Sequence, residues 1–187
     1  MVPLLNITTD KTLVFIIREG ADVFGGNHNY TSDLIIDAGK EMFSFNSGNL
    51  WRHNDISGFN NFFGLNVDSK ITVTANGENS KVKTFKTVSV EANLEPTEIE
   101  FRTELPDVQE SNLLAGEFDI TEGLYKGGIR RDKFSPNTEG DEDDKMLKGD
   151  VLRGKYMYVS ARWTTNALLE LEFINIGYDM SAGNNSM

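Results

Sequence analysis

The chain has 187 residues, 39% hydrophobic and 25% charged, with 12 Phe and 2 Trp, and a formal net charge of −11. So much large apolar surface excludes disorder throughout, and the length suits one sizeable core or two small β domains. The negative charge without a dense Lys/Arg run removes the phosphate attraction that nucleic-acid binding needs, so no sequence-specific nucleic acid is expected as a partner, and the lack of cysteine excludes disulfides and thiolate metal sites.

Thr12 to Arg18 is β-branched and apolar on both faces, which predicts a buried strand broken by Gly25-Gly26-Asn27. Leu13 to Ile17 is the longest apolar stretch, far short of the ~20 residues of a membrane helix. The N-terminus lacks a basic segment before an apolar signal core, so neither membrane insertion nor secretion is expected. Met42 to Phe45 and Leu50 to His53 flank Asn46, Ser47, Gly48 and Asn49, which predicts a tight hairpin because Gly48 takes positive φ cheaply.

Ile71, Val73 and Ala75 alternate with Thr72 and Thr74 and end at Asn76-Gly77, a preferred hairpin-turn dipeptide. With a second strand over Lys81 to Val90, this predicts a hairpin over residues 70–90. Ile99 and Phe101 alternate with Glu98, Glu100 and Arg102, giving a strand with one wet face that Pro106 stops. Asp107 to Leu114 reads as a short helix or a loop. Ser135 to Leu147 holds Pro136, Gly140 and the acidic run Asp141, Glu142, Asp143, Asp144, and reads as an exposed loop.

Met157, Val159, Ala161 and Trp163 share one face of a strand, with Tyr156, Tyr158, Ser160 and Arg162 on the other. Leu169, Leu171 and Phe173 oppose Glu170 and Glu172, and Thr164 to Ala167 would join the two strands as a terminal hairpin. No apolar period of 3.6 persists over three turns. About nine or ten short strands predict an all-β fold, an antiparallel β-sandwich or packed β subdomains with few short helices. The expected organisation is one β-rich domain over 1–187, with any subdivision near 106–112 and a frayed tail at 181–187.

The chemical inventory is thin. No nucleophile elbow, phosphate loop or dinucleotide fingerprint occurs, and His28 and His53 each stand alone, His53 reading as a hydrogen-bonded structural residue. Asp141, Glu142, Asp143 and Asp144 offer oxygen ligands of the kind calcium takes, but lack the alternation and following glycine of an EF-hand loop, which favours a solvated acidic loop. No catalytic residue, metal ligand or cofactor is assigned.

Tyr125, Lys126, Arg130 and Arg131 surround Gly127-Gly128, an unusual cationic density in an acidic chain. One reading is an interface whose counterpart on a neighbouring copy is Asp141, Glu142, Asp143 and Asp144, since Tyr and Arg favour contacts and Arg pairs bidentately with carboxylates. The other is an internal salt-bridge cluster, for which Glu95 to Glu100 and Glu139 to Asp144 are available partners.

Two sets of segments together resemble a known family. The first runs Asn29 to Ile36, Lys40 to Phe45, Asn49 to Asn54 and Phe59 to Gly64; the second is Lys81 to Val88, Glu122 to Asp132 and Leu147 to Tyr156. In order and in character they are similar to the C-terminal region of the tail stabilisation or muzzle-type proteins of crAss-like podoviruses, phages of Bacteroidetes. Ser32 stands where that family often has Pro, and its members are longer than this chain.

The resemblance implies a non-enzymatic virion tail component, one of several copies around the tube through which the genome leaves. Its implied partners are other tail proteins and copies of itself in a ring, and an acidic lining would let DNA slide without sticking. The alternative is a glycan- or receptor-binding β-sandwich that stacks sugars on exposed Trp51, Tyr125, Tyr156 or Tyr158.

Overall fold

The computed structural model describes residues 12–18, 21–28, 32–39, 41–53, 58–78, 80–104 and 108–180, with backbone alone for 12–18 and 21–28. The tail 181–187 and Pro106 lie outside the described residues, as does the burial expected for the side chains of Thr12 to Arg18. The chain forms two compact units, Met1–Val67 and Asp68–Met187.

In the first unit, β1 (Thr12–Arg18) pairs antiparallel with β2 (Ala21–His28). Gly25-Gly26-Asn27, expected to break a strand, instead lies inside β2. Val14 faces Gly26 and Phe15 faces Phe24, so Gly25 is the extra residue of a bulge, a place where a missing Cβ removes steric cost. β3 (Leu34–Asp37), β4 (Met42–Asn46) and β5 (Asn49–Arg52) form a three-stranded sheet. The predicted β4–β5 hairpin is present: Asn46 faces Asn49, and Ser47 and Gly48 have φ of 53° and 79°, the left-handed pair of a two-residue turn. β6 (Asn61–Phe62) and β7 (Leu65–Asn66) make a smaller hairpin round Phe63 and Gly64.

The second unit holds β8 (Ser69–Ala75), β9 (Lys83–Ala92), β10 (Glu98–Thr103), β11 (Glu110–Leu114), β12 (Asp119–Thr121), β13 (Leu124–Gly128), α1 (Glu142–Lys148), β14 (Arg153–Gly154), β15 (Met157–Trp163) and β16 (Leu171–Met180). One sheet runs β11-β10-β15-β8. In the other, β9 is central: β13 and β14 pair with successive parts of it on one side, β12 lies beyond β13, and β16 covers its other side.

Alternation along each strand selects the inward residues. Ile99 and Phe101 of β10, Leu113 of β11, and Met157, Val159, Ala161 and Trp163 of β15 meet Phe85, Val88 and Val90 of β9 in one buried cluster. The two sheets therefore pack face to face as an antiparallel sandwich, the predicted fold class. The three-residue step from Phe85 to Val88 keeps both inward because a bulge intervenes. Gly177 faces Thr87 and Tyr178 faces Phe85, leaving Lys86 unpaired in that register.

Four expectations fail here. β8 and β9 do not form a hairpin: β8 pairs with β15 and β9 with β13, β14 and β16, in different sheets. In the connection it is Glu78, with φ of 49°, and not Gly77 that takes positive φ. The terminal hairpin fails likewise, since β15 sits between β10 and β8 while β16 sits on β9. A bulge at Glu172 then turns Phe173 outward, 41% exposed, and Ile174 and Ile176 toward the core. Asp107 to Leu114 ends in a strand, β11, with Ser111 and Leu113 buried. Lastly, much of Ser135 to Leu147 is not loop, because α1 begins at Glu142.

Lys83 is fully buried. Its ammonium donates to the carbonyls of Glu78 (3.0 Å), Lys81 (3.1 Å) and Lys155, and lies 5.7 Å from the centre of the Tyr178 ring. Lys83→Met keeps the apolar stem and strands these acceptors. Each buried polar group so orphaned costs about 1–3 kcal/mol, so urea unfolding should show a loss of at least that size. An unchanged midpoint would show that the ammonium is dispensable.

Candidate functional site

Three segments singled out by sequence lie in the second unit: the charged turn Tyr125 to Asp132, the acidic run Asp141 to Asp144, and Leu147 to Tyr156. Just past β13, the Ile129 N–H donates to Lys86 O (2.8 Å), which continues the β9 pairing by one residue. The Arg130 guanidinium donates to the Glu117 carboxylate. Arg131 turns to the far end of α1: its N–H donates to Met146 O (3.0 Å) and its guanidinium to Gly149 O (2.8 Å). A cation there opposes the negative end of the helix dipole. The Asp132 carboxylate, 4% exposed, accepts from the N–H groups of Glu110 (3.0 Å) and Phe134 (3.1 Å), joining this turn to β11.

The acidic run occupies the opposite end of the same helix. Asp141 is its N-cap and accepts from Asp144 N–H (3.0 Å), while Glu142, Asp143 and Asp144 form the first turn, where negative charge is favoured. Asp144 also pairs with Lys148 at 3.3 Å, one turn on. Seven helical residues, roughly 10 Å of rise, thus stand between the end that Arg131 holds and the acids. Within one chain the arginines engage Glu117 and a helix C-terminus, not the acidic run. Tyr125 and Lys126 lie on β13 opposite Val90 and Ser89, with Tyr125 packed on the core.

The third segment, Leu147 to Tyr156, closes the same structure. A Cβ on Gly149 would lie 2.8 Å from Ser135 Cβ and 3.1 Å from Asp132 O, so only glycine lets the helix end approach this turn. Asp150 accepts from Ser135 Oγ (2.7 Å), and Ser135 is fully buried. Arg153 Nε donates to Thr84 Oγ1 (3.3 Å), and the Lys155 N–H donates to Glu104 (2.6 Å). The sequence flagged these segments but carried no sign that Ser135, Glu104 and Glu117 complete them, nor that Gln109 does, which accepts from Arg153 N–H (2.7 Å) and donates to Val151 O (3.1 Å).

On the outer face of the β11-β10-β15-β8 sheet, Arg162 bridges Glu98 (2.6 Å) and Asp68 (3.1 Å). The hydrogen bond from Arg162 holds both carboxyls below their usual range, with Thr164 adding to the effect at Asp68. In the first unit, Ser44 Oγ lies 2.6 Å from His53 Nε2 with Ser44 fully buried, so His53 is the hydrogen-bonded structural residue expected. Among the described residues no three His, Asp or Glu side chains converge to hold a metal ion, and no helix among them is long and apolar enough to cross a membrane. Of the aromatics considered for sugar stacking, Trp51, Tyr125 and Tyr156 are half-buried and Tyr158 is exposed. Trp51 packs edge-on against Phe63, ring centres 5.8 Å apart.

These features define an antiparallel β-sandwich module whose flagged charges hold its own loops. Residues 57–132 match the family model of the Crassvirus muzzle protein C-terminal domain. That bears out the resemblance in the sequence over Phe59 to Gly64, Lys81 to Val88 and Glu122 to Asp132, while Asn29 to Asn54 and Leu147 to Tyr156 fall outside the matched stretch. No curated protein matches the chain.

Two outcomes follow from this geometry. Arg130→Glu sets like charges together at Glu117 and should lower the unfolding free energy measured in urea by more than the ~0.2–1 kcal/mol of an exposed pair. Asp143→Lys, on an open helix turn, should cost only about 0.3–1 kcal/mol; the reverse order would mean that the Arg130 contact does not hold the fold. Glu98 has a lowered folded pKa, so its contribution is fully present above the ordinary glutamate value near 4.5 and is lost as pH falls through the lower folded value. Acid titration of Arg162→Met should show a shallower fall in stability across that window than wild type, and parallel curves would refute the linkage.

Proposed function

We propose that this chain is a non-enzymatic structural component of a bacteriophage tail, a muzzle-associated subunit that packs against other tail proteins around the channel through which DNA leaves. The match of residues 57–132 to the muzzle domain family carries this reading. Two physical features support it. Among the described residues, Arg130, Arg131, Asp132 and Gly149 of the family-like segments hold the module's own turns and helix end together, and a net charge of −11 repels phosphate, so passing DNA would not stick.

Copies would assemble as a heterologous ring, joining different patches of successive subunits. The patches proposed are the turn of Tyr125, Lys126, Arg130 and Arg131 on one copy and Asp141, Glu142, Asp143 and Asp144 on the next. Arg131 uses one guanidinium nitrogen on Gly149, while Glu142 and Asp143 are exposed. Each such pair would contribute only ~0.2–1 kcal/mol, so the charges would set register while apolar burial supplies affinity.

Purified virions treated with a zero-length carboxyl-amine cross-linker test both levels. The expected products join Lys126 of one copy to Glu142 or Asp143 of another, and electron microscopy should place the chain in the tail. Virions whose tails hold no density for the chain would overturn the assignment, and cross-links confined to single copies would overturn the ring.

A further inference from the structure

The second unit presents two strand edges side by side. β8 ends the order β11-β10-β15-β8, and β16 pairs only with β9, so neither edge has a strand partner among the described residues. Between them lies a groove of about 560 Å³, walled by Ile71 to Gly77 on one side and Leu171 to Tyr178 on the other. Val73, Ala75, Ile174 and Ile176 are half-buried against the core and face this groove, and Ile71 (38% exposed) and Phe173 (41%) stand at its mouth. Among the described residues the sandwich core is therefore uncovered on this side, between two strand edges whose outward N–H and C=O groups join no further strand.

Charge narrows what can enter. Asp68 is engaged by Arg162, Lys70 by Glu100, and Glu78 by Lys81. Glu170 and Glu172 on the approach to and start of β16 are exposed and have no ion-pair partner among the described residues, and Glu172 lines the groove. A second copy is a poor occupant, since it would bring another chain of net charge −11 against the uncompensated carboxylates of Glu170 and Glu172.

We propose that this groove receives an extended segment of a different polypeptide, added as a strand between the edges of β8 and β16, apolar at alternate positions and cationic where it passes Glu172. Main-chain hydrogen bonds would give affinity, while the apolar floor and the acidic rim would give register and partner choice. The inference rests on the reading of the chain as a docking component. A peptide assay reads the groove alone, however, so its failure leaves the tail assignment, judged on virions, intact.

The probe is a fluorescein-labelled peptide, Lys-Val-Thr-Val-Thr-Val-Lys, titrated against the full chain by anisotropy, with amide exchange to locate it. Saturable binding is expected, weakened by salt, with new protection confined to β8 and β16. Replacing the central Val by Pro, which removes a ladder donor, or both Lys by Glu should each weaken it by about tenfold or more. Phe173→Lys, at an exposed site, should lose binding with its melting point kept, and Glu172→Lys should shift preference to the Glu-flanked peptide. No binding, equal binding of all three peptides, or protection elsewhere overturns the proposal. So does self-association of the chain that Phe173→Lys abolishes, which would give the edges to a second copy.

Discussion

The buried ammonium of Lys83 constrains more of the second unit than any other single group. All three of its N–H donors are engaged by carbonyls, two from the connection between β8 and β9 and one from Lys155 at the approach to β15. An ammonium out of water is tolerated only when so completely hydrogen-bonded. The connection must therefore wrap round it, which a two-residue turn at Asn76-Gly77 would not allow. Tyr178 of β16 closes the same end, its hydroxyl packed against Gly77. One cation thus ties the exit of β8, the start of β9, the entry to β15 and the last turnings of β16.

The opposite task, joining α1 and its flanking turns to the sandwich, falls to the residues from Ile129 to Asp132 and from Gly149 to Lys155. They act as a set because each has a different job. Arg131 satisfies carbonyls at the helix end, Asp132 satisfies the N–H groups of Glu110 at the start of β11 and of Phe134, and Gly149 supplies the close approach of the helix end to this turn. A seven-residue helix is too short to be stable alone. Its persistence here is a property of those contacts together with its Asp141 cap and the burial of Met146.

Faces were legible in the sequence, and pairings only where a two-residue turn sets them, as between β4 and β5; the strand pairings of the second unit were not. The alternation of Met157, Val159, Ala161 and Trp163 fixes which side of β15 is buried, because side-chain direction is a local property of an extended chain. Which strand lies beside β15 depends on residues such as Ile99 and Val73, far off in sequence, and a local turn signal is weak evidence against seven paired residues. The bulges at Lys86 and Glu172 shift phase by one residue, and no residue type announces them. The helix is a different kind of miss. Asp141, an acidic first turn, Lys148 and then Gly149 form a start and stop signature, which the density of charge caused to be read as solvated loop. The charged turn near β13 was visible as a cluster, but its partners Glu117 and Gly149 O were not, since neither lies near it in the chain.

The distribution of charge completes the physical picture. Cations on the described surface are largely engaged within the fold: Arg162 with Glu98 and Asp68, Arg130 with Glu117, Lys133 with Glu110, Lys70 with Glu100. Because the chain carries 29 acidic against 18 basic side chains, the excess that faces outward is carboxylate. Such a surface repels phosphate and copies of itself out to about a Debye length, roughly 10 Å at 0.1 M salt, and the repulsion weakens and shortens as salt rises. Close contact then has to be won by apolar burial or by a partner that brings its own cations. Of the described surface, the open side of the sandwich between β8 and β16 offers both conditions at one place: apolar side chains without a cover, and carboxylates without a counter-charge.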